Sequence, residues 1–114
     1  MRTQVLTRTA SVVFNGSGNG TASTGPSITN EVWTVTVASV SASSNNTEAT
    51  CRIYAGTSVS QGSFIDGTTW GSTGDSTSNF AVPVYSGQQI FAVWSSGDGG
   101  ATGTLAINGT RTVP

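Results

Sequence analysis

The sequence predicts an all-β protein, an antiparallel β-sandwich or jelly roll of about seven to eight short strands. Three observations lead there. Apolar residues recur with period two, and no window carries the i, i+3, i+4, i+7 spacing of an amphipathic helix. Turn-forming clusters recur roughly every eight to twelve residues, the spacing of a sandwich or barrel rather than of βα units. Ser, Thr and Gly make up 51 of the 114 residues, a composition short of helix formers.

The length fits one domain. Residues 1–13 hold Val5-Leu6 and Val12-Val13, and read either as a first strand or as an N-terminal arm reaching a neighbouring subunit. Residues 14–114 read as a single β-sandwich domain. Asn15 to Gly25 is low in complexity, a loop followed by a weak strand.

From Glu31 to Val40, Trp33, Val35 and Val37 alternate with Thr34 and Thr36, a half-buried strand. Residues 48–55 repeat the pattern, with Ala49, Cys51 and Ile53 inward and Thr50, Arg52 and Tyr54 outward. Ser43-Ser44-Asn45-Asn46 supplies the preceding turn.

Phe80, Val82 and Val84 alternate with Ala81, Pro83 and Tyr85. A mid-strand proline cannot donate to a ladder, so this is an edge strand or a bulge. Gln89 to Trp94 is nearly continuous apolar sequence, which suits a central strand covered on both sides. Leu105 and Ile107 supply the last strand. Turn signals stand at Asn15 to Gly20, Gly25-Pro26, Gly56, Asp66-Gly67, Gly71 to Asp75, Ser86-Gly87, Gly97 to Gly100 and Asn108-Gly109.

Only 8% of the residues are charged, against about 25% in ordinary soluble proteins. The surface must be polar yet nearly neutral. With four Arg, no Lys, no His and a net charge of -1, neither nucleic acid nor an anionic membrane would be drawn to it. No run of 18 apolar residues occurs and the N-terminus lacks a signal-peptide core, so synthesis in the host cytoplasm is expected, without a membrane span. Cys51 is the lone cysteine, excludes an intrachain disulfide and reads as a buried structural thiol. Four Asn-x-Ser/Thr triplets, at Asn15, Asn19, Asn45 and Asn108, are what so Asn-, Ser- and Thr-rich a chain produces by chance.

Without His or Lys the chain cannot build a Ser-His-Asp or Cys-His site, a P-loop, a Schiff base or a His-ligated zinc centre. Glu31, Glu48, Asp66, Asp75 and Asp98 leave a glycosidase-like carboxylate pair or a calcium loop to weigh. The three Asp lie beside Gly or Ser in turns, where Asp bonds backbone amides, and the spaced acids of an EF-hand are missing. The expectation is therefore no enzyme, with no catalytic residue, cofactor or metal. Trp33 and Trp94 lie within apolar strands and read as core. Trp70, among polar neighbours, is the foremost candidate for a partner or glycan contact, joined by Tyr54 and Tyr85.

Gly25-Pro26, Glu31-Val32-Trp33, Cys51 to Tyr54, Asp66-Gly67-Thr68, Gly71 to Ser76, Gly87-Gln88-Gln89 and Phe91 to Trp94 together resemble small virion structural proteins of actinobacterial tailed phages. The resemblance spans about Gly16 to Gly109 and rests on turn glycines and strand aromatics. It implies a capsid decoration or minor tail protein located in the virion, with major capsid or tail proteins as partners. A homo-oligomer docking in several copies is implied as well. The absence of Lys fits a high-GC actinobacterial host. A carbohydrate-binding module for host-surface glycans is the alternative.

Overall fold

The computed structural model describes residues 2–43, 49–59, 64–70 and 74–114, and of 64–70 and 74–80 it describes the backbone. These residues contain eight strands: β1 (Arg2–Val13), β2 (Gly20–Thr24), β3 (Val32–Ala42), β4 (Ala49–Gly56), β5 (Phe64–Trp70), β6 (Gly74–Tyr85), β7 (Gln89–Ser95) and β8 (Thr102–Val113). One sheet runs β1-β8-β3-β6 and the other β2-β7-β4-β5, with every pairing antiparallel. Partners therefore nest, β1 with β8, β2 with β7, β3 with β6 and β4 with β5. A long hairpin rolled on itself gives this order, which is the jelly roll.

The two sheets differ in reach. Strands of the first have 11–12 residues and those of the second 5–8. At about 3.3 Å per residue the long sheet extends roughly 40 Å and the short sheet roughly 16 to 26 Å. The molecule is accordingly 47 Å long and 21 Å across.

β2, β4, β5 and β7 are short as expected, whereas β1, β3, β6 and β8 are longer than expected. Asn108-Gly109 lies inside β8, Asp66-Gly67 inside β5 and Asp75 inside β6, so these pairs do not act as turns. Gly71 to Thr73 and the Ser44 to Asn46 part of the other turn signal fall outside the described residues. Asn108-Gly109 instead serves a bulge. Against β8, Val35 faces Gly109 while Val37 faces Asn108, leaving Thr36 as an extra residue. Its hydroxyl donates to the Asn108 carbonyl at 3.3 Å. A Cβ on Gly109 would stand 2.0 Å from the Thr34 carbonyl oxygen, so the close backbone approach requires glycine.

The bulge resets the alternation of β3. Trp33 and Val35 are buried as expected, but Ala38, Val40 and Ala42 then take the inward positions. Val37, expected inside, is half-buried on the outer side. The inserted residue shifts every later side chain to the opposite face.

The core lies between the sheets, with Leu6, Trp33, Val35, Ile53, Ile90, Trp94, Leu105 and Ile107 at most 2% exposed. Each such side chain contributes about 1.5 to 3 kcal/mol by leaving water. Phe14, at the exit of β1, tilts against Trp94 with ring centroids 5.8 Å apart. The Arg8 guanidinium sits 5.5 Å from the Trp33 ring centroid, a cation–π contact at the rim of the core. β7 is central, but Phe91 and Val93 are only half-buried on its outer side, which corrects the expectation of cover on both faces. β6 is an edge strand, with Pro83 exposed and a register shift beside it, as a mid-strand proline demands.

Glu31 stands just before β3 and is 1% exposed, with its Oε2 3.1 Å from Arg111 Nε of β8. The atoms approach as charges, without hydrogen-bond alignment. Arg111→Ala should cost about 3 to 5 kcal/mol, because it strands a buried carboxylate, and Glu31→Leu in that background should restore most of it. Urea melts of both variants check this. An unchanged midpoint for Arg111→Ala would contradict the pairing.

Cys51 is fully buried, and loss of hydration pushes its thiol up to about 12. The sign follows from linkage. Below about pH 9 the thiol is protonated in both states and contributes nothing to the pH dependence. From there to about pH 12 only the unfolded chain releases the proton, so stability falls by roughly 1.4 kcal/mol per pH unit. Cys51→Val should remove this slope, as denaturant midpoints at about pH 8 and about pH 10.5 would report. Equal slopes for the two proteins would contradict it.

Candidate docking surface

The outer face of the long sheet follows from the parity of its strands. On β1, Leu6, Arg8, Ala10 and Val12 turn inward, so Thr3, Val5, Thr7, Thr9, Ser11 and Val13 turn outward and are exposed. On β8, Leu105, Ile107 and Val113 are buried, and Thr102, Thr104, Thr110 and Thr112 stand on the other side. β3 adds Thr34, Thr36, Ser39 and Ser41.

Hydroxyls on neighbouring strands meet across this face. Thr7 Oγ1 donates to Asn108 Oδ1 at 3.2 Å, and the Ser11 and Thr104 hydroxyls lie 3.3 Å apart. No charged residue takes an outward position on β1, β3 or β8. Arg8 and Arg111 face inward, and Arg52 projects from the short sheet. The three strands together offer a neutral strip roughly 40 Å long and about 14 Å wide. A partner on such a face would meet hydroxyls and exposed valines, with little to gain from ionic contacts.

The expected contact residues lie apart from one another, with Tyr85 on this outer face, since its partner Val32 shares the outward parity of Thr34 and Thr112, and with Tyr54 and Trp70 on strands of the other sheet. Tyr85 ends β6 opposite Val32 and is 52% exposed. A tight turn fixes it: Gln88 N–H donates to the Tyr85 carbonyl at 2.9 Å, Tyr85 N–H donates to Gln88 Oε1 at 3.1 Å, and Gly87 has φ 89°. Glycine supplies that left-handed conformation without strain.

Tyr54 takes the outer side of β4 as expected, but is too covered to serve as an exposed contact. It leaves the inward alternation at Ile53, where β5 slips register, yet it is only 9% exposed and outside the main core cluster. It stands in register with half-buried Phe91 of β7 and has little surface to offer a glycan. Trp70 closes β5 opposite Ala49, five positions along β4 from Tyr54 or roughly 16 Å. Its side chain is outside the described part of the structure. The three aromatics therefore do not converge on one site.

Of the carboxylates weighed as chemistry, Glu31 is held by Arg111, and Asp98 occupies a turn in which its carbonyl accepts from Ala101 N–H. Glu48 and the side chains of Asp66 and Asp75 are outside the description. No cluster of three or more His, Cys, Asp or Glu occurs among the described residues.

The hydroxyl face was the feature that sequence reasoning missed. Its signal is Thr3, Thr7, Thr9 and Ser11 at odd positions and Thr102, Thr104, Thr110 and Thr112 at even ones. Inward Arg8 and the Asn108-Gly109 pair obscured both alternations.

No family model matches the chain, and no curated protein matches it. Among solved structures, a chain from the structure of infectious bursal disease virus Gt strain aligns over 96% of this chain and 31% of its own length, at 12% identity and a TM-score of 0.38. A chain from the Gx strain structure aligns over 97% and 35%, at 14% identity and a TM-score of 0.35. This chain thus spans about a third of their length. At these scores the likeness establishes neither family nor function.

Proposed function

We propose that this chain is a non-enzymatic virion structural protein, a capsid decoration protein of an actinobacterial tailed phage that docks in multiple copies on major capsid protein. The observation behind this is the broad outer face of the long sheet, where hydroxyls stand among Val5, Val13, Val32 and Val37 with no outward charge on β1, β3 or β8. The jelly roll supports the reading, being a fold of viral capsid domains, though lectin domains use it too. The resemblance of the strand aromatics and turn glycines to small actinophage virion proteins supports it further.

The test is reconstitution on purified particles that lack the protein. Added chain should saturate the particle surface, and Thr34→Arg and, in a separate variant, Thr110→Arg should each weaken docking at least about tenfold by burying unpaired charge, while leaving the melting temperature nearly unchanged. Docking unaffected by the two arginines would refute this face as the contact.

A second reading, a minor tail component or a glycan-binding module, draws on exposed Tyr85 at the end of the long sheet. A glycan-array signal lost on Tyr85→Ala would favour it.

A further inference from the structure

A jelly roll has four edge strands, and here they are β1 and β6 of the long sheet and β2 and β5 of the short one. Exposed edges invite pairing with another chain, and proteins blunt them with shortness, proline, glycine or bulges. β2 has five residues. β5 contains Gly67 and a register shift, and β6 contains Pro83 and another. β1 has twelve residues, no proline or glycine, and unbroken register with β8. It also carries Val5 and Val13, the two most exposed large hydrophobics among the described residues, at 83% and 66%.

The backbone of β1 is oriented for such pairing. Phe14 N–H, just past the strand, donates to the Ala101 carbonyl at 2.8 Å and continues the β1–β8 ladder. In an antiparallel ladder the hydrogen-bonded positions alternate, so even-numbered residues bond β8. The N–H and C=O groups of Thr3, Val5, Thr7, Thr9, Ser11 and Val13 then point to the free edge. Among the described residues no strand pairs with them; the Thr7 carbonyl accepts from Arg8 Nη1 at 2.9 Å, a side-chain contact that a pairing strand would displace.

We infer that β1 is a homodimerisation edge, pairing antiparallel with β1 of a second copy about a two-fold axis at Thr9. This register sets Val5 opposite Val13, Thr7 opposite Ser11 and Arg8 opposite Ala10. Each exposed valine covers the other, and β-branched cross-strand pairs of this kind stabilise sheets. Five hydrogen-bonded pairs would form about ten backbone bonds. Centring on Val5 would oppose Arg2 to Arg8, and centring on Arg8 would oppose it to itself, both unfavourable. Centring on Thr7 leaves Val13 uncovered. The dimer joins two long sheets into one of eight strands and doubles the hydroxyl face. The inference holds whichever particle, if any, the chain docks on.

Sedimentation equilibrium of the full chain should show a concentration-dependent dimer. Thr9→Pro removes an N–H that faces the free edge and leaves the ladder to β8 intact, so it should give a folded monomer across the same range. Thr9→Cys should oxidise to a covalent dimer much faster than Thr7→Cys. Its two Cα atoms would be about 5.5 Å apart, within disulfide range, and native Cys51 is buried. If Thr9→Pro fails to fold, the comparison of the two cysteines decides. A parent chain that stays monomeric, a dimer indifferent to Thr9→Pro, or preferential cross-linking at Thr7 would each overturn the inference.

Discussion

Trp94→Ala should cost about 3 to 5 kcal/mol, most of the stability of a domain this size. The indole is fully buried at the end of β7, with the Phe14 ring against it. Gly103 of β8 lies directly beneath, where even a Cβ would come within 2.8 Å of the ring. That glycine has no side chain to move into the vacated volume, so the cavity stays largely open. The indole N–H has no hydrogen-bond partner, and Trp94→Phe sacrifices no polar contact. Its cost should be markedly smaller. Urea unfolding of the two variants separates the effects, and near-wild-type stability of Trp94→Ala would contradict the packing described.

Removing residues 2–13 should abolish cooperative folding altogether. β1 supplies fully buried Leu6 and, packed against the core, Ala10 and Val12. It is paired with β8 along its whole length. Its loss uncovers Leu105 and Ile107 on the inner side and frees one edge of β8. Leu6 alone is worth about 1.5 to 3 kcal/mol of burial. Near-ultraviolet circular dichroism and a thermal melt of the truncated chain are the measurements. A truncated chain that kept a sharp transition would show the segment to be a dispensable arm.

Period-two alternation and closely spaced turn signals are local properties, and they sufficed for the fold class and for most of the core. Trp33, Cys51, Ile53 and Trp94 sit where alternation puts them, and Pro83 lies on an edge because it lacks a donor. What the sequence hid depends on neighbours distant in the chain. Thr36 became a bulge residue only through its match with β8, and that reversed Val37 and Ala38. Asn108-Gly109 has the local chemistry of a hairpin turn, yet it is drawn into β8 by the backbone approach at Thr34. Glu31 and Arg111 are 80 positions apart, and nothing local announces their pairing. Trp70, Tyr54 and Tyr85 each stand out singly in the sequence, whereas the neutral face is a property of three strands brought side by side.

Docking through a neutral face is read out by occupancy on purified particles as salt is raised. Proteins that bind through charge lose affinity steeply as counterions return, whereas apolar anchors and uncharged hydrogen bonds respond little. This chain has four Arg and five acidic residues in all. Between about 50 mM and about 500 mM sodium chloride, the number of bound copies should stay nearly constant. Release of most copies over that range would mean a charge-driven contact, and would contradict the account.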